Sequence, residues 1–120
     1  MIKIAKTAVI VEDSKLAALA IKKALENLGY TVVEIVSDGN KAVEACKKNS
    51  PDLVTMDLNM PNLDGFEATQ QILSANAALN IIIITERNLT EQDKQRLSGA
   101  KAIILKPITE EKIRAAIQKL

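Results

Sequence analysis

Three carboxylates, a hydroxyl and an ammonium each follow a short run rich in Val and Ile: Glu12-Asp13, Asp57, Thr85 and Lys106-Pro107. Taken singly, each has an ordinary explanation. Asp13 reads as a helix cap and Asp57 as a turn residue ahead of Asn59-Met-Pro61, while Thr85 and Lys106 read as solvated groups. Turn chemistry, however, does not require one sign of charge after two runs and the opposite sign after a third. Packed close together, Glu12, Asp13 and Asp57 would repel, and one would take up a proton unless a cation intervened. A hard divalent ion removes that cost. Magnesium characteristically takes one or two carboxylates, keeps several waters and completes its shell with phosphate oxygen. A carboxylate can also act as a nucleophile and form an aspartyl-phosphate. Metal and lysine would then neutralise the transferring phosphoryl group, with Lys106 as the point charge and Thr85 as a hydrogen-bond partner. The chain has no histidine, which excludes a histidine-based hydrolase, a histidine metal site and an internal phosphohistidine.

These residues need elements that bring them together, and two patterns alternate along the chain. Runs rich in Val and Ile at 7–12, 31–36, 52–57, 80–85 and 101–105 predict strands. Helical spacing fills the intervals at 14–29, near 41–49, at 65–76, near 91–98 and at 109–120. The first helix aligns Ala17, Ile21, Ala24, Leu25 and Leu28, and the last aligns Ile113, Ala116, Ile117 and Leu120. Gly29 reads as a stop, Thr109 as an N-cap, and Thr90 to Asp93 as a capping box. The 91–98 segment has only Leu97 as an apolar anchor and is expected to be the most weakly held helix. Strand–helix alternation implies right-handed crossovers and a parallel sheet covered on both faces. The second, third and fourth runs are expected to be strands buried on both faces. The functional crevice of such a sheet lies beyond the carboxyl ends of its strands, where the polar residues sit.

Composition narrows the class. The 120 residues fit one domain, and the formal net charge of +1 comes from interspersed charges. No basic stripe supports direct nucleic-acid or membrane-surface binding, and the single Tyr and single Phe offer no stacking platform. Cys46 has no disulfide partner and reads as a half-buried helix residue. Residues 1–6 lack the long apolar stretch of a signal peptide, and no stretch approaches the ~20 apolar residues a membrane helix needs. A cytoplasmic location is expected.

The sequence resembles response-regulator receiver domains over essentially its whole length, and among them the single-domain chemotaxis type. The resemblance rests on Glu12-Asp13, the run Asp57-Leu-Asn-Met-Pro-Asn-Leu-Asp-Gly65, Thr85, and Gly99-Ala100 leading to Lys106-Pro107. It implies a doubly wound, flavodoxin-like α/β fold with a five-stranded parallel sheet of order 2-1-3-4-5 and five helices. It implies that Asp57 takes a phosphoryl group from a phosphohistidine on a partner histidine kinase or phosphotransfer protein. Asp13, Asp57 and the backbone carbonyl of Asn59 would ligate Mg2+, with Glu12 acting mainly through a bound water. Thr85 and Lys106 would sense the phosphoryl group, and the bond before Pro107 would be cis. Such a protein catalyses its own phosphorylation and dephosphorylation rather than turning over a substrate pool. With the chain ending at Leu120, a separate effector protein is expected to dock on about 90–120.

Three positions depart from the family pattern. Glu86 stands where a small residue usually follows the sensing Thr, and would repel an incoming phosphate or pair with Lys106. Ile103 stands where an aromatic side chain usually reports the phosphorylated state, and Glu12 replaces the commoner Asp. A degenerate receiver that only docks onto a partner would account for Glu86 and Ile103. A haloacid-dehalogenase-type phosphatase would want an acid where Asn59 stands. A flavodoxin-like electron carrier would want a phosphate-binding loop where Glu12-Asp13 would repel its cofactor.

Overall fold

The computed structural model describes residues 6–120, so most of the segment read against a signal peptide lies outside the described residues. The elements are β1 (Lys6–Val11), α1 (Lys15–Asn27), β2 (Tyr30–Val36), α2 (Gly39–Asn49) and β3 (Leu53–Asp57), followed by α3 (Gly65–Ala75), β4 (Asn80–Thr85), α4 (Glu91–Arg96), β5 (Ala102–Leu105) and α5 (Glu110–Ile117). All strand pairs are parallel and the order is β2-β1-β3-β4-β5, as expected. No described helix is long and apolar enough to cross a membrane.

The core forms two aliphatic layers, one on each face of the sheet. Val9, Val54, Met56, Ile81 and Ile83 pack with Phe66, Ala68 and Ile72 of α3 and with Ala42 and Ala45 of α2. On the opposite face Ala8, Ile10, Ile82 and Ile84 meet Ile21 and Leu25 of α1 and Ile113 of α5. β3 and β4 are thus buried on both faces, as their unbroken apolar runs predict. β2 is not. It is an edge strand with Val33 and Ile35 exposed, and the third interior strand is β1. The register of β2 against β1 slips between Ala8 and Val9: Ala8 faces Val32 and Val9 faces Glu34, leaving Val33 unmatched.

Local signals set the boundaries. Ser14, Asp38, Asp64, Thr90 and Thr109 each accept a backbone amide as N-caps. Asp13 is therefore not the cap of α1, because Ser14 fills that role. Gly29 has φ of +95°, a conformation that lets the chain leave α1 sharply. The Thr90–Asp93 capping box is present, and α4 contains no buried residue of its own, with Leu97 buried just beyond it. α5 ends at Ile117, so the expected packing of Leu120 is corrected: that side chain is exposed. Cys46 is half-buried, and burial, helped by the charge of Glu34, pushes its thiol up to about 11.

Candidate functional site

Because β1, β3, β4 and β5 run parallel, their carboxyl ends share one rim. Glu12 leaves β1 with its amide bonded to the Val36 carbonyl at 3.0 Å. The Lys106 amide donates to the Thr85 carbonyl at 2.8 Å, carrying the β4–β5 pairing one residue beyond β5. The rim thus brings together Glu12, Asp13, Asp57, Thr85 and Lys106, as the strand-end reading expects, and Asn59 follows two residues after Asp57 on the exposed side.

One carboxylate oxygen from each of Glu12, Asp13 and Asp57 lies within 4.8 Å of the other two. Glu12 and Asp57 are 3% and 4% exposed, whereas Asp13 is exposed. An all-oxygen, all-anionic set of this spacing suits a hard divalent cation, so the residues present fit magnesium. Burial is the main reason the Asp57 carboxyl is pushed up to about 7. The Asn59 amide, donating to Oδ1 at 3.1 Å, opposes the rise, Glu12 adds to it by charge, and Lys106 opposes it. In the absence of a cation, burial thus favours the protonated form of the Asp57 carboxyl.

Lys106 pairs with Glu12: Nζ lies 2.9 Å from Oε1, with the Glu12 side chain buried and that of Lys106 partly so. Oε1 has no well-aligned hydrogen bond, so the contact is ionic before it is directional. The other Glu12 oxygen accepts the Ser14 amide at 3.1 Å. Burial pulls the Lys106 ammonium down, but its close contact with Glu12 and the charges of Asp57, Glu12 and Glu86 together raise it. Glu86 therefore reaches Lys106 through its field, while the ion pair itself is with Glu12. Thr85 is fully buried rather than solvated, and its hydroxyl oxygen accepts the Arg87 amide at 3.1 Å. The Lys106-Pro107 bond is cis.

Two further residues support the rim, and only one of them is hinted at in the sequence. Gly65 opens α3 directly against the Asp57 loop, its amide donating to the Leu58 carbonyl at 3.1 Å. A Cβ there would run into the Asp57 carbonyl oxygen and the Leu58 backbone. Lys112 of α5 donates from Nζ to the carbonyls of Leu105 and Pro107, both at 2.9 Å, holding the backbone on either side of Lys106. A glycine ahead of a helix hints at the first, but nothing in the pattern of α5 singles out Lys112.

Comparison with known proteins agrees with this arrangement. The family model described as "Response regulator receiver domain" matches residues 8–118. The chemotaxis protein CheY of Bacillus subtilis is 36% identical over 111 residues, covering 92% of each protein. Among solved structures, the CheX–CheY–BeF3–Mg2+ complex from Borrelia burgdorferi superposes with a TM-score of 0.88 at 26% identity, covering 94% of this chain and 87% of that one. The receiver domain of the sensor histidine kinase PA1611 from Pseudomonas aeruginosa, with a magnesium ion in its active-site cleft, gives 0.84 at 27% identity and covers 96% of each.

Proposed function

The chain belongs to the response regulator receiver domain family, and from that premise we propose that it is a phosphorylatable receiver with Asp57 as the acceptor. The observation that carries this reading is the meeting of three carboxylate oxygens within 4.8 Å beside the Lys106 ammonium. Asp13, Asp57 and the Asn59 carbonyl would hold magnesium, with Glu12 contributing mainly through a water. Bound there, the ion would neutralise charge on the carboxylates and on the phosphoryl oxygens.

The donor is a phosphohistidine on a kinase or phosphotransfer protein. An Asp57 oxygen attacks phosphorus, the phosphorus–nitrogen bond breaks, and the histidine nitrogen leaves with the electron pair. Thr85 already accepts the Arg87 amide, so its hydroxyl proton is free to be donated to a phosphoryl oxygen. Lys106, held protonated by its acidic neighbours, supplies a positive charge where negative charge gathers. Output passes to an effector protein at about 90–120, a region that includes the thinly anchored α4 and the exposed Ile103 and Leu105. Such a protein works in the cytoplasm and does not bind nucleic acid directly.

Intact-mass measurement after acetyl phosphate and magnesium tests the acceptor. The parent chain gains a single phosphoryl group and Asp57→Asn gains none. An unmodified parent would favour the second reading, a receiver that only docks, which the exposed Ile103 in the place of an aromatic side chain supports.

A further inference from the structure

Phe66 is the chain's single phenylalanine, and its side chain is buried, 3% exposed. Two guanidinium groups nevertheless lie over its ring, that of Arg96 at 4.4 Å and that of Arg87 at 5.4 Å from the centroid. A cation is drawn to an aromatic face by the ring quadrupole, and the attraction strengthens where water is excluded. Both arginines belong to the stretch between β4 and β5, whose helix α4 has no buried residue. Leu97 and the half-buried Leu89 anchor that stretch, and Gln70 of α3 bonds the Arg96 carbonyl at 3.5 Å. Asp93, at the start of α4, is held below the usual carboxylate range by the Thr90 amide, with Arg87 and Arg96 contributing.

The same ring is tied to the rim at two points. It follows Gly65, which bonds Leu58 and abuts the Asp57 backbone. Arg87, stacked on the ring, also donates its amide to the Thr85 hydroxyl oxygen at 3.1 Å. A turn of that hydroxyl toward an oxygen held at Asp57 would disturb its bond to Arg87, whose guanidinium lies over the face of Phe66. Ile103 on β5 has no ring to act in this way.

We propose that Phe66, clasped by Arg87 and Arg96, is the positioning residue through which occupancy of the Asp57 site reaches Glu86–Leu97. The inference rests on the acceptor reading of Asp57 and names how that site is read out. Beryllofluoride with magnesium serves as the phosphoryl mimic. Fluorine NMR reports whether it binds, and amide hydrogen exchange reports the 86–98 segment of the full chain. In the parent, loading shifts exchange at 86–98 by about fivefold or more. In Phe66→Leu and Arg96→Met the mimic still binds but the shift disappears, whereas Arg96→Lys, which keeps a cation over the ring, retains most of it. A variant that merely loosened α4 would change exchange equally with and without the mimic. Parental shifts in both disabling variants overturn the proposal, as does a parent that binds the mimic with no change at 86–98. A parent with no bound-fluoride signal overturns the acceptor reading and this inference with it, and the fluorine spectrum tells the two failures apart.

Discussion

Asp57 and Glu12 are two buried acids of one rim, and among the described residues only Glu12 has an ammonium in direct contact. For Asp57 the folded-state value of about 7 lies above the usual carboxylate range, so the ionised form is penalised by folding. Its contribution to stability is complete below that range and is lost as the pH rises through 7. In chelator, Asp57→Asn should therefore be more stable than the parent by about 2 kcal/mol at pH 8, the advantage fading towards pH 4. Urea unfolding at several pH values measures this, and equal stability at pH 8 would count against a strained carboxylate. Glu86 acts on the same rim from outside. Glu86→Ala should speed acetyl-phosphate modification by about tenfold at low ionic strength, with the gain shrinking as salt is added. An unchanged rate would sink the idea. The rim itself was legible because strand ends in a parallel sheet share a side, so residue type alone marked Glu12, Asp13, Asp57, Thr85 and Lys106. The Lys106–Glu12 pairing and the arginines on Phe66 were not, because contacts between distant residues leave no periodic trace.

Among the elements, α4 depends on its ends. It buries nothing between Glu91 and Arg96 and is held by the capping box, the neighbouring Leu97 and the ring of Phe66. Thr90→Ala removes one cap, worth about 1 kcal/mol, which corresponds to roughly fivefold faster amide exchange in 91–97. The global unfolding midpoint should barely move, since the segment opens without the core, and a drop of many degrees would show that α4 is part of the main cooperative unit. The weakness of this helix was readable from its single apolar anchor. The place of β2 was not: its TVVEIV run is as rich in β-branched residues as a central strand. Glu34 within it was the available signal of an edge, since the carboxylate needs the partner it finds in the Asn49 amide at 2.8 Å.

For the molecule as a whole, magnesium should behave as a ligand of the folded state alone. At about a hundredfold excess over its dissociation constant it should add about 2.7 kcal/mol of stability. Thermal unfolding with and without the ion measures this, and Asp13→Asn should remove most of the gain. The two aliphatic layers that support the rim hold almost no aromatic residues, which has a spectroscopic consequence. The chain has no tryptophan, and its single tyrosine, Tyr30, opens β2 opposite Lys6, at the end of the sheet away from the carboxylates. Tyr30 is buried, with its hydroxyl pKa raised by that burial and by the nearby Asp52. Native ultraviolet emission should follow the collapse or loss of the sheet and stay level while the opposite rim fills. A fluorophore meant to report metal or phosphoryl occupancy belongs beyond Leu58 or Thr85, where the chain starts out dark.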